Sequence, residues 1–269
     1  MTTSQPIRMQ AALAGKRVLI TGCTGFLAKV VLEKLIRSVP DVGKLVLLVR
    51  ADRSGNDARK RFDREIATSS IFEKLRAEQP DFLAHFFAEK IECVTGEVSE
   101  PRFGLTAEGF QELANRVDVI INSAASVNFR EALDEALSIN ALSIHNITAL
   151  ARMADAPLIQ VSTCYVNGFN QGDMLEQVVT PVGTEATIER HPKGYFDVAP
   201  MLKRMQQKID DVKTSTTNAK LRERLLTDLG IAEANHFGWN DTYTLTKWMG
   251  EQFAMEGMQG RTMTIVRPS

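Results

Sequence analysis

Three side chains in this sequence have the types and spacing for proton-coupled carbonyl chemistry. Tyr243 and Lys247 stand four residues apart in Tyr243-Thr244-Leu245-Thr246-Lys247, a spacing that on a helix puts phenol and ammonium on one face. A phenol titrates near pH 10 and is a poor acid at neutrality, and a neighbouring cation stabilises its phenolate, which makes Tyr243 a usable proton donor. The pair alone arises by chance in many helices. It gains meaning from Thr163, in Val161-Ser162-Thr163-Cys164-Tyr165 at the end of an apolar run. A hydroxyl there faces the crevice that ligands occupy in open α/β sheets, where it can hydrogen-bond a substrate carbonyl. Ser162 points the opposite way if the strand stays extended, toward the core or a bound cofactor.

A second constellation binds rather than reacts. Thr21-Gly22-Cys23-Thr24-Gly25-Phe26-Leu27-Ala28 follows the first apolar run and opens a helical pattern. Gly22 permits a tight turn, Gly25 lets backbone amides approach a pyrophosphate, and the positive helix end stabilises the phosphate charge. Ala28 is the third small position, suited to close helix-on-strand packing, and Cys23 reads as a small filler. Asn122-Ser123-Ala124-Ala125 follows the fourth apolar run, and its small residues let backbone pass close to a cofactor ribose. Arg50 is the first side chain past the second run. It can stack on adenine and pair a 2′-phosphate, which favours NADP, while Asp52 is the competing signal, because an acidic residue there would bind the ribose hydroxyl of NAD.

These residues need a scaffold, and the sequence supplies its elements. Six short apolar runs, 17–21, 44–49, 90–95, 117–121, 158–163 and 262–268, alternate with longer helical patterns. Continuous rather than alternating hydrophobicity suits strands buried on both faces of a parallel sheet. The fold class is α/β, a doubly wound parallel sheet. Helices are expected over 26–37, 57–68, 106–115, 130–152 and 242–256, the last capped by Asn240 or Asp241. Residues 1–14 form an N-terminal extension, and 168–240, polar at first and then helical from about 197 to 229, forms an insertion on one domain of 1–269.

Composition removes several functions. With 32 basic against 33 acidic side chains the net charge is −1, so no positive field exists to hold nucleic acid. Three cysteines without CxxC pairing and four scattered histidines argue against a disulfide framework or a zinc site. No signal peptide and no run of transmembrane length are present, which suggests a cytoplasmic protein, with peripheral membrane contact left open. Oligomeric state is not legible.

Together, TGCTGFLA, INSAASVNF, QVSTCYVNG, YTLTK and the terminal IVRPS resemble the extended short-chain dehydrogenase/reductase superfamily. The narrower resemblance, over about 14–269, is to the fatty acyl-CoA reductases, with bacterial alcohol-forming enzymes nearest. It rests on LAKVVLEKLIRSVPDVGKLVLLVR, on SAASVNFRE, and on the 80-residue step from 163 to 243, far longer than in nucleotide-sugar epimerases and dehydratases. The resemblance implies an NAD(P)-binding Rossmann fold and NADPH-dependent reduction of a long-chain fatty acyl-CoA to aldehyde and then alcohol. It implies Thr163, Tyr243 and Lys247 as the catalytic set, with Asn140 as a fourth member whose alternative is a capping or surface role. It also assigns Gly22, Thr24, Gly25, Phe26 and Leu27 to the diphosphate, Arg50 to the 2′-phosphate, Ala124 and Ala125 to the ribose, Pro268 to the nicotinamide, and Thr21, Ser123, Val161 and Lys247 to the same cofactor. At the adenine edge, Glu97-Val98 replaces the usual Asp-hydrophobe. Relatives continue beyond VRPS into a part that helps form an acyl channel, so this chain reads as an N-terminal portion with the substrate part missing. A carrier-bound thioester reductase, a nucleotide-sugar epimerase or dehydratase, and a non-catalytic NADP-binding module are the alternatives.

Overall fold

The computed structural model describes residues 9–51, 55, 57–184 and 187–269. Asp52 and all but the last few residues of the 1–14 extension lie outside the described residues; the extension's described part is a short helix, Met9–Leu13. Six strands, β1 (Arg17–Thr21), β2 (Lys44–Val49), β3 (Ile91–Thr95), β4 (Val119–Asn122), β5 (Leu158–Val161) and β6 (Met263–Val266), form one parallel sheet in the order β3-β2-β1-β4-β5-β6. This is the dinucleotide-binding order, with the reversal of winding between β1 and β4. β1, β2 and β4 are almost wholly buried, as their uninterrupted apolar runs require. The ends differ from expectation at four strands: β3 begins at Ile91, β4 begins at Val119, β5 stops at Val161, and β6 stops at Val266.

The described helices used below are α1 (Phe26–Ser38), α2 (Ala107–Ala114), α3 (Ser143–Ala154), α4 (Ala199–Ser215), α5 (Ala219–Phe237) and α6 (Thr242–Gly257). The expected helix over 57–68 is one α-turn, Ala58–Arg61, continued by a π-turn, Phe62–Ile66. The 130–152 helix begins at Leu133–Ala136, passes through a π-turn at Leu137–Leu142, and continues as α3. The helical stretch expected from about 197 to 229 is two helices, α4 and α5, the second running on to Phe237. Thr214, Ser215, Thr216 and Thr217 carry hydroxyls that compete for backbone groups and end α4, and Asn218 then caps α5 by accepting from the Leu221 amide at 3.1 Å.

The chain divides into two compact units, residues 1–124 with 150–159, and 125–149 with 160–269. The first has its core on β1, β2 and α1, closed by Phe62, Phe72 and Phe86. The second buries Trp239 and Trp248 against each other, with ring centroids 4.5 Å apart and planes tilted by 39°. Each indole N–H is satisfied: Trp239 donates to the Val166 carbonyl at 2.8 Å and Trp248 to that of Val179 at 3.0 Å. Buried indoles need such partners, and these two bonds anchor the loop after β5 to the start of α6.

Candidate active site

In the first unit, β1 delivers the glycine loop. Gly22 has φ +72°, and a Cβ there would stand 2.7 Å from the Ser123 carbonyl carbon, so only glycine allows the loop to lie against the residues after β4. Gly25 is the N-cap of α1 and no side chain caps that end. The helix's first amides are therefore left for an outside acceptor, with Gly25, Phe26 and Leu27 exposed and Thr24 half-buried. This open, uncapped helix start fits the diphosphate of a dinucleotide. Cys23 is buried, its thiol donates to the Ile20 carbonyl at 3.3 Å, and burial pushes its pKa far up, as a filler requires.

Thr21 has another task. Its buried hydroxyl donates to Asn122 Oδ1 at 2.5 Å and accepts from the amides of Ser123 and Ala124 at 3.2 and 3.1 Å. It clamps the ends of β1 and β4 together and thereby sets the glycine loop beside the Ser123-Ala124 stretch. Past β2, the exposed guanidinium of Arg50 lies 3.7 Å from the Glu97 carboxylate, bringing together the two residues read at the adenine end, while neighbouring Val98 is buried. Sequence reasoning missed Arg61. Its guanidinium, largely buried, donates to the Arg50 carbonyl at 2.8 Å and is held by Glu65 at 2.6 Å, fixing the backbone from which Arg50 projects. Two arginines eleven apart on a loop and a short helix carry no signal in the sequence.

In the second unit, Asp241 rather than Asn240 caps α6, accepting from the Thr244 amide at 2.8 Å. Nearly all of the helix is buried. Thr163 keeps extended backbone beyond β5, its hydroxyl accepts from the Tyr165 amide at 3.3 Å, and it lies near enough to the Tyr243 phenol to lower its pKa. Ser162 is also buried, and its hydroxyl has no protein partner among the described residues. The Lys247 ammonium donates to the Val161 carbonyl at 2.8 Å. Thr163, Tyr243, Lys247 and Val161 thus come together as read.

The electrostatics differ from expectation. Burial, the largest influence, raises the Tyr243 phenol above its ordinary value, and nearby Thr163 pulls it back in part. Lys247, buried as well, is brought down to about 8, against the opposing field of Glu251. The phenol is therefore kept protonated, and Thr163, not Lys247, is the group that lowers it here.

Asn140 is tied into the second unit by hydrogen bonds. It is buried in the π-turn, accepts from the Ser126 amide at 2.9 Å, and donates to the Ser126 carbonyl and to Thr246 Oγ1, each at 3.1 Å. Thr246 in turn donates to the carbonyls of Thr242 at 2.8 Å and Tyr243 at 3.2 Å, so Asn140 reaches the Tyr243 backbone through one hydroxyl. Gly250 is what allows this approach, since a Cβ there would collide with the Asn140 carbonyl. Phe129 packs on the Tyr243 ring at 5.0 Å and on Tyr165 at 5.9 Å. The Pro268 carbonyl accepts from the Cys164 amide at 3.1 Å. No helix among the described residues is long and apolar enough to cross a membrane.

Fatty acyl-CoA reductase 2, chloroplastic, of Arabidopsis thaliana is 36% identical over 259 residues, which covers 96% of this chain and 42% of that protein. The alcohol-forming fatty acyl-CoA reductase of Simmondsia chinensis is 30% identical over 260 residues, covering 96% and 52%. The chain spans about half the length of the curated relatives it matches. Among solved structures, the terminal R domain of the myxalamid PKS-NRPS biosynthetic pathway superposes with a TM-score of 0.59 at 23% identity, over 94% of this chain and 48% of that one, a likeness of fold. The NAD-binding family described as Male sterility protein matches residues 20–269, and this chain belongs to it.

Proposed function

We propose that the protein is an NADPH-dependent oxidoreductase that reduces a long-chain fatty acyl-CoA thioester to the aldehyde and then to the alcohol. The observation that carries the reading is the meeting of buried Thr163 and Tyr243 with Lys247, whose ammonium donates to the carbonyl of Val161, two residues before Thr163, at 2.8 Å. Two hydroxyls that meet in this way can converge on one carbonyl oxygen, Thr163 as hydrogen-bond donor and Tyr243 as proton donor. NADPH, when bound, supplies hydride. The raised phenol keeps its proton at neutral pH, as an acid must, and the oxygen receives that proton as negative charge develops. Collapse of the tetrahedral species then expels the CoA thiol. The aldehyde presents the same carbonyl oxygen to the same two hydroxyls for a second reduction by a second NADPH.

For the cofactor, the uncapped start of α1 takes the diphosphate, Ser123 and Ala124 lie by the ribose, and Arg50 pairs the 2′-phosphate while Glu97 accepts from the adenine amino group. Val161, Lys247 and Pro268 serve the nicotinamide end. Three free thiols, Cys23, Cys93 and Cys164, accord with a reducing, cytoplasmic setting. The test is NADPH consumption with palmitoyl-CoA, followed by product chromatography. Hexadecanal and hexadecanol are expected in sequence, and an enzyme that turns over a nucleotide sugar, or an acyl group only on a carrier protein, overturns the reading.

A further inference from the structure

Behind the tyrosine helix lies a buried ion pair that the proposed chemistry does not use. Glu251, two helical turns beyond Tyr243 on α6, is fully buried, and Arg267 grips it with both arms, Nε to Oε1 at 2.8 Å and Nη2 to Oε2 at 2.7 Å. The remaining arm of Arg267 donates to the Gln177 carbonyl at 2.9 Å. The guanidinium is thus spent on two segments of the second unit.

The backbone of Arg267 sits in a telling place. The Ser162 amide donates to the Val266 carbonyl at 2.7 Å and the Cys164 amide donates to the Pro268 carbonyl at 3.1 Å. These bonds fall on either side of Thr163 on one strand and on either side of Arg267 on the other. Arg267 is therefore opposite Ser162 in register, and Thr163 is opposite Pro268, so Arg267 lies between the two carbonyls that bind the amides on either side of Thr163. A closed ring of contacts results: Tyr243 to Thr163, Thr163 through its two flanking amides to the end of β6, Arg267 to Glu251, and Glu251 along α6 back to Tyr243. The Lys247–Val161 bond crosses the ring between strand and helix.

We propose that Glu251 and Arg267 are positioning residues that hold Thr163 against Tyr243. A buried pair of this kind is weak evidence for stability, since well-packed apolar residues of similar volume often do as well or better, and its best-attested use is to fix one geometry among several. Here the geometry fixed is the distance between a strand end and a helix that must share one substrate oxygen. A misplaced catalytic group costs rate far more than it costs fold. The inference rests on the proposed roles of Thr163 and Tyr243.

The test separates geometry from stability. Replacing both partners at once, Glu251→Met with Arg267→Met, removes the two charges together and refills the volume, so the thermal midpoint should stay near that of the parent. kcat on an acyl-CoA should fall roughly 10- to 100-fold with KM for NADPH little changed. A second readout needs no turnover. Tyrosinate absorbance, taken as the difference between each protein and its Tyr243→Phe counterpart, follows this phenol alone. The groups that bear on it are Thr163, Asp241, Cys164 and Tyr165, and only Thr163 lowers it. Slackening that contact should move the Tyr243 titration to higher pH. Arg267→Lys, which keeps the charge, should recover part of both effects. If the paired variant folds with parental kcat and an unmoved Tyr243 titration, the pair is a brace of the fold and the proposal fails. If it does not fold, Glu251→Gln, which keeps the shape and loses the charge, must show the raised phenol, and an unmoved one overturns the proposal. A parent that reduces no acyl thioester, yet whose Tyr243 titration responds to these changes, refutes the proposed function and leaves the positioning ring standing.

Discussion

In the first unit, the loop meant for a cofactor presents backbone: Gly25, Phe26 and Leu27 are exposed, and no side chain caps the helix they begin. In the second, Thr163, Tyr243 and Lys247 are each under a tenth exposed, and each already meets a neighbouring polar group of the protein. Binding a diphosphate asks for unspent amides and close approach, which come from leaving side chains out. Proton transfer asks for side chains held to a fraction of an ångström, which comes from burying them in a bonded network. The same chain therefore economises on side chains in one region and saturates them in the other.

The largest test of that contrast is Tyr243→Phe. It removes the proposed proton donor but no proposed cofactor contact, so acyl-CoA reduction should fall by roughly 10²- to 10⁴-fold while NADPH affinity, measured by calorimetry, stays close to the parent. Retention of most of the parental rate would end the proton-donor role.

Gly22→Ala attacks the opposite region. Alanine must adopt positive φ and meets the Ser123 backbone at 2.7 Å, which should cost about 1–3 kcal/mol of stability. NADPH binding should weaken with it, whereas the Thr163–Tyr243 contact, built wholly within the second unit, should titrate as before. A thermal melt and a cofactor titration on the same sample read both.

Arg50→Ala sharpens the comparison further, because the contact proposed for it with the 2′-phosphate depends on a charged side chain rather than on backbone. The preference for NADPH over NADH should narrow by about tenfold, the value of one charge-assisted bond to phosphate, with kcat at saturating NADPH little changed. Equal affinity of the parent for both cofactors would remove the role of Arg50.

The smallest effect is that of pH. Lys247 is brought from an ordinary 10.5 to about 8 by burial, so its ammonium is lost on passing through about pH 8, and the ribose contact proposed for it should weaken there. For stability the sign is opposite. Between about 8 and 10.5 the unfolded chain holds the proton that the folded one has released, so the contribution of this lysine to stability rises with pH across that window and levels off above it. A Lys247→Met variant should lack both responses, in cofactor titrations and in melts run across the range.

The elements and the separate motifs were written in the sequence. Uninterrupted apolar runs identify strands buried on both faces, the strand–glycine–helix junction identifies a diphosphate cradle, and four-residue spacing puts Tyr243 and Lys247 on one face of a helix. These are local properties, set by period and residue type. Tertiary structure alone decided what lies far apart in the chain: that Thr21 spends its hydroxyl on the backbone after β4, that Asn140 bonds to Thr246, that Arg61 steadies Arg50, and that Glu251 and Arg267 close a ring behind the tyrosine. It also reversed one electrostatic expectation. The spacing of Tyr243 and Lys247 suggests a phenol lowered by its cation, but spacing says nothing of desolvation, and in the folded protein burial raises the phenol, lowers the lysine, and leaves Thr163 to pull the phenol back.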